Sequence, residues 1–224
     1  MPTPEKIRQQ MQHLTAELVR CSLCDRQNFP AMRQLGQGIC EVSIASRGSL
    51  SYALKNIPYL DIYNEMERTQ TYNIRMLDGA LIHMMYRFRY NQLESHRLAF
   101  SPSPFLEEFQ NNPDIYLQDE VYAEVIMRNI VPSPFRFDFD CREDVFIEVE
   151  HPRSHLTIGQ YQNCRIPVSS PLTPYHFISF ILRNFYNTAY KKYESRLSIH
   201  VENFDISLTK QEMCLLYIQV PMFK

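Results

Sequence analysis

Between residues 135 and 165 the chain reads F-R-F-D-F-D, C-R-E-D, V-F-I-E-V-E, H-P-R-S-H, L-T-I-G-Q-Y-Q-N-C-R, and it concentrates side chains able to carry chemistry. Asp138, Glu148 and Glu150 are carboxylates of the kind that hold a hard divalent ion, Mg²⁺ or Mn²⁺, for phosphodiester hydrolysis. His151 and His155 flank Pro152 and titrate near neutrality. They suit metal-free RNA cleavage, in which one imidazole takes the 2′-hydroxyl proton and the other protonates the leaving oxygen. Arg136, Arg153 and Arg165 would hold and neutralise a phosphate. A two-histidine zinc site with an aspartate as third ligand is a less favoured variant. The candidates for catalysis are therefore Asp138, Glu148, Glu150, His151 and His155, and those for metal are Asp138, Glu148 and Glu150.

These residues need a scaffold that brings them together, and the pattern around them predicts a β-hairpin. Phe135, Phe137 and Phe139 alternate with Arg136, Asp138 and Asp140, the period of a half-buried strand. After a polar turn over residues 141–144, Val145, Ile147 and Val149 alternate with Phe146, Glu148 and Glu150. Burying the first set of each strand on one face gathers Arg136, Asp138, Asp140, Glu148 and Glu150 on the other. A purely structural reading competes: Arg136 would lie opposite Glu148 and the charges would pair across strands. Asp140 and Asp144 read as turn formers, and His176 as a helix-face residue.

The rest of the chain reads as α+β with mostly antiparallel strands. Residues 4–18 predict an amphipathic helix capped by Thr3, within a possible helical subdomain over residues 1–35 of an otherwise single domain. Cys21 and Cys24 have a metal-like spacing without a second close pair, so they read as structural. Residues 39–45 predict a strand, and residues 50–60 stay open between helix and loop. Residues 72–77 and 80–89 flank Asp78-Gly79 as a hairpin, for which a type I′ turn is expected. A second turn over residues 91–95 leads to a strand at 96–100. Arg75, Arg87, Arg89 and Arg97, interleaved with Tyr86, Phe88 and Tyr90, suggest cations for phosphate and rings for stacking on single-stranded nucleic acid. Arg87 and Arg89 are accordingly candidate substrate-binding residues, against the plainer alternative that they pair with acids. Short central helices are predicted over 105–111 and 114–127, and a long helix from Pro174 to about Glu194 behind the sheet. Strands at 197–201 and 213–220 complete the reading.

Bulk properties exclude some classes. In 224 residues, 45% hydrophobic and 21% charged with a net charge of −2, nothing marks a strongly basic nucleic-acid binder. No apolar run approaches the ~20 residues of a membrane span. The polar N-terminus lacks a secretory signal, so the six cysteines are expected as thiols in a cytoplasmic protein.

The aromatic-Asp strand, the E-H-P-R-S-H-L-T-I-G stretch, C-R-I-P-V and P-L-T-P-Y-H-F-I-S-F-I-L-R-N-F-Y resemble an uncharacterised bacterial domain-of-unknown-function family of about this length. The resemblance spans roughly residues 135–186 and implies no established activity. The V-F-I-E-V-E run also resembles the core of PD-(D/E)xK nucleases, with Glu150 where that family has lysine. Positions 136, 138, 151 and 155 are further similar to those of small bacterial toxin-like proteins associated with RNA cleavage and defence loci. The combined expectation is a nuclease or nuclease-like effector acting on RNA or single-stranded nucleic acid, with a protein partner encoded nearby. The alternative is a non-catalytic subunit that binds nucleic acid or an effector through the same face.

Overall fold

In the computed structural model, described over residues 1–45, 57–105, 133–161, 163–197 and 202–222, the chain opens with helix α1 (Pro4–Arg20). Thr3 caps it by accepting from the Lys6 N–H, and Pro4 occupies the first turn, where no amide donor is required. Ile7, Met11, Leu14 and Leu18 fall on one stripe and are wholly buried, as the periodicity predicts.

Strands β1 (Cys24–Gln27), β2 (Pro30–Gly36) and β3 (Ile39–Ile44) follow, so residues 24–36 are extended rather than part of a helical subdomain. After α2 (Tyr59–Arg68) come β4 (Ile74–Met76), β5 (Leu81–Arg89), β6 (Gln92–Ser101), β7 (Phe135–Asp140), β8 (Ser154–Ile158) and β9 (Ile166–Pro167). Every pairing among them is antiparallel, in the order β1-β4-β5-β6-β7-β8-β9. One edge forks: β5 pairs with β4 through Leu81 and Ile82 and with β3 through residues 86–89, and β3 carries β2 outward. Helices α3 (Pro174–Phe185) and α4 (Asn187–Leu197) complete the described secondary structure, with a single 3₁₀ turn at Glu212–Cys214. The α+β class is as expected.

Alternation along the strands gives the sheet two unlike faces. Leu98, Phe135, Phe137 and Leu156 turn into one core with α1, α3 and α4, where Phe137 meets Phe177 and Phe180 edge-on at 6.1 and 5.3 Å. On the opposite face Ile62, Tyr63 and Met66 of α2 pack with Tyr72 and Leu81.

Several expected elements differ. Residues 145–150 are not the strand that follows β7; they form the tip of a connection, and the partner of β7 is β8. A β-strand needs a row of pairing partners, and within the tip only Ile147 and His151 bridge. The helix expected as continuous from Pro174 divides at Tyr186 (φ −139°, ψ 51°), whose hydroxyl donates to the Asp78 carboxylate at 2.8 Å. Residues 213–220 form the 3₁₀ turn and an irregular segment touching β-structure only through the Val168–Ile218 bridge. At Asp78-Gly79 only Gly79 has positive φ, +82°, and its N–H donates to Met76, so the loop is a type I turn closed by a left-handed glycine. The primed geometry occurs instead at Tyr90-Asn91 (φ 50° and 66°), which lets β6 begin at Gln92, earlier than expected. Predicted elements over 106–111, 114–127 and 198–201, and residues 50–56, lie outside the described residues.

Candidate functional site

The outer face of β6, β7 and β8 carries the polar half of the same alternation. Register puts Arg97, Asp138 and His155 side by side on three neighbouring strands, and Ala99, Arg136 and Thr157 in the next row. Asp138 is the hub. The Arg97 Nε–H donates to its Oδ1 at 3.1 Å, the Arg136 Nε–H donates to Oδ2, and the His155 Nε2 lies 3.8 Å from Oδ2. Burial alone would push the Asp138 carboxyl up, yet the charges of Arg136 and Arg97 hold it below the usual range. Asp138 is therefore a carboxylate at neutral pH, clamped between two guanidiniums.

His155 is 5% exposed. Its Nδ1 lies 2.8 Å from the Pro152 carbonyl oxygen, which can only accept, so Nδ1 carries the proton and Nε2 faces Asp138 with its lone pair. Burial lowers its pKa, outweighing the opposing pull of Asp138. His151 is half-buried and meets the His155 ring edge-on, centroids 5.1 Å apart. Burial and the charge of Arg165 hold His151 toward its neutral form, with Asp138 and Asp140 working against them. The structure thus brings together Asp138, His151, His155, Arg136 and Arg165, with Arg97 added from β6.

Other candidates go elsewhere. Glu148 and Glu150 are exposed on the connection between β7 and β8, because the strand expected to carry them is absent. Arg136 faces Thr157, not Glu148, and Val145, Ile147 and Val149 do not join the core of Phe135, Phe137 and Phe139. Among the described residues no group of three or more His, Cys, Asp and Glu side chains is arranged to hold a metal ion, so the proposed set of Asp138, Glu148 and Glu150 is not assembled. Arg153 braces the connection, donating to the Cys141 carbonyl and to Glu143, both at 2.6 Å, with its guanidinium over Phe146. Arg87 pairs with Glu41 at 3.0 Å and Arg89 with Glu94 at 2.7 Å. Tyr86 and Phe88 are wholly buried on the core face, so they offer no stacking surface; only Tyr90 is exposed. Cys21 is a buried and Cys24 a half-buried free thiol. A cavity of about 490 Å³ lies on the opposite side of the sheet, lined by Phe180, Arg183 and Ile218 among others, and includes none of the polar cluster.

Two contributors escaped sequence reasoning. Arg97 was one of several strand arginines until register placed it against Asp138. Glu212 is fully buried, and its signal was readable: Thr209-x-x-Glu212 is a capping box. The Glu212 N–H donates to Thr209 Oγ1 at 3.2 Å and the Thr209 N–H returns to Glu212 Oε2 at 2.9 Å.

The described architecture is that of an α+β protein with an antiparallel sheet, one of whose faces holds an arginine-clamped Asp–His pair. The chain belongs to the family described as "Uncharacterized conserved protein (DUF2290)", whose model matches residues 23–220. Neither curated proteins nor solved structures give a match. Among the described residues no helix is long and apolar enough to cross a membrane.

Proposed function

We propose that the chain is an RNA-directed, nuclease-type protein that works through its histidines rather than through bound metal. The observation that carries this reading is the His151–His155 contact, with rings 5.1 Å apart, beside guanidiniums that outnumber the carboxylate they share. Arg97 and Arg136 divide one negative charge, and Arg165 adds another cation close enough to depress both histidines. Such a surplus favours an anionic ligand, and a phosphodiester supplies one. His151, the more accessible ring, is neutral and competent as a base. The 2′-oxygen would bond to phosphorus as its proton passes to His151, and the 5′-oxygen would leave with a proton from solvent. His155 would orient His151 from behind, its tautomer set by Pro152. The similarity of positions 136, 138, 151 and 155 to toxin-like proteins favours a place in bacterial defence in the cytoplasm, with a partner encoded nearby.

The test is cleavage of a labelled single-stranded RNA in EDTA. Wild type is expected to give 2′,3′-cyclic phosphate ends, and His151→Ala to lose about 10²–10⁴-fold in rate while remaining folded. Failure of the wild type to cleave RNA with EDTA, Mg²⁺ or Mn²⁺, or equal cleavage of DNA lacking the 2′-hydroxyl, would overturn the reading.

A further inference from the structure

The connection between β7 and β8 ends in a tip whose backbone is held in an unfavourable conformation. Val149 has φ +71°, a region that a β-branched side chain enters only against steric cost. Two devices keep it there. Ile147 and His151 exchange backbone hydrogen bonds across it, at 2.7 and 3.2 Å. From the far end of the chain, the spare Oε1 of the buried Glu212 accepts the Val149 N–H at 3.4 Å. The capping box of the 3₁₀ turn thereby ties the two segments together.

The surface they present is apolar and open. Ile147 is 55% and Leu216 90% exposed, and Val149, Met213 and Leu215 are also exposed, on the two segments that the Glu212–Val149 bond joins. Strain spent on presenting a valine to water has no stabilising return in the isolated chain, and exposed apolar patches rimmed by polar residues mark interaction sites. The surroundings say what kind. Residues 140–153 carry five acids, Asp140, Glu143, Asp144, Glu148 and Glu150, against Arg142 and Arg153. Both arginines are occupied within the connection, by Asp140 and Glu143. Glu148 and Glu150 extend into solvent from the apolar tip itself. Glu148 and Glu150 repel a polyanion from the apolar tip itself, and a second copy meeting through a two-fold contact there would set acid against acid.

We infer that Ile147, Val149, Met213, Leu215 and Leu216 form a docking surface for a partner protein that presents a basic, amphipathic segment, apolar residues seating on the tip and lysines or arginines meeting Glu148 and Glu150. This surface is separate from the RNA reading, since His151 lends it only backbone atoms.

The probe is a labelled amphipathic peptide of leucine and lysine, titrated by fluorescence anisotropy into the full chain, with a leucine–glutamate peptide of the same pattern as control. The lysine peptide is expected to bind and the glutamate peptide not. Combined Ile147→Asp and Leu216→Asp should weaken binding at least tenfold, and combined Glu148→Lys and Glu150→Lys should invert the preference toward the glutamate peptide. His151→Ala should leave binding unchanged. Folding of each variant is checked by circular dichroism. The Glu-to-Lys variant carries only exposed changes and keeps the test valid if the apolar variant misfolds. No binding by the wild type, or binding indifferent to the charge reversal, overturns the inference. So does sedimentation showing a dimer that Leu216→Asp dissolves, which would make the occupant a second copy.

Discussion

The two faces of β6, β7 and β8 are built from the same residues taken alternately, and they are held together by opposite means. On the core face Leu98, Phe137 and Leu156 lie in one row, backed by Phe177 and Phe180, and the attraction is non-directional. On the outer face Arg97, Asp138 and His155 lie in the neighbouring row, and each contact depends on direction and charge. The first face tolerates imprecise geometry but not lost volume. The second tolerates lost volume but not a lost partner. One face therefore sets how stable the sheet is, and the other sets which charges stand where a ligand can meet them.

The comparison can be broken from the core side first. Phe137→Ala removes a ring buried to 1% exposure among other rings, and a loss of about 3–5 kcal/mol in urea unfolding is expected from transfer and cavity terms. On the outer face, Asp138→Ala leaves Arg97 and Arg136 without their shared carboxylate, and a cost of roughly 3 kcal/mol is expected from the uncompensated charges. If Asp138→Ala proves neutral in the same measurement, the row is only a surface ion pair and the distinction between faces collapses.

A pH titration of stability probes both faces at once. Burial pushes His83 on the outer face down to about 3 and His96 on the core face down to about 4. Both folded values lie below the unfolded value near 6.5, so the unfolded chain takes up protons first. Their contributions are complete above pH about 6.5 and drain as pH falls toward the folded values, up to roughly 5 kcal/mol for His83 and roughly 3 kcal/mol for His96. His96→Gln can still accept the Leu172 N–H that His96 Nε2 accepts at 3.1 Å, so stability at pH 7.5 should hold while the acid slope loses one proton. An unchanged slope would show that His96 is not a source of the acid sensitivity.

How much of this was legible depended on which face a residue joined. The alternation F-R-F-D-F-D separated the buried phenylalanines from the half-buried polar set correctly, because period two is a local property. The α1 stripe and its cap at Thr3 were legible for the same reason. Which strand pairs with β7 was not. V-F-I-E-V-E has the composition of a strand, and a short polar turn precedes it, yet Thr157 of β8 took the place opposite Arg136 intended for Glu148, and His155 the place opposite Asp138. The alternation S-H-L-T-I satisfies the period equally well, and pairing is decided by the whole row rather than by either segment. The Arg97–Asp138 contact joins residues 41 apart, and no spacing in the chain announces it. Likewise Tyr86 and Phe88 looked available for stacking until register turned them inward, leaving their neighbours Arg87 and Arg89 to face Glu41 and Glu94.

The smallest expected effect is the sharpest on chemistry. Glu148 and Glu150 were candidates for metal binding beside Asp138, and in the fold they sit exposed on the tip while Asp138 is enclosed by arginines. Neutralising both, as Glu148→Gln with Glu150→Gln, removes no described hydrogen bond or ion pair of theirs. Stability should move by less than about 0.5 kcal/mol in urea unfolding. RNA cleavage in EDTA should match the wild type, whereas His151→Ala should lose about 10²–10⁴-fold. Should the double glutamine variant lose cleavage that depends on Mg²⁺ or Mn²⁺, the carboxylates would have to reach the phosphate after all. The connection between β7 and β8 would then have to close over Asp138 in the presence of ligand, and the site would be one of metal rather than of histidine. Equal cleavage by the variant, with and without metal, leaves the acids of the tip with a role in what the tip meets rather than in what the cluster cuts.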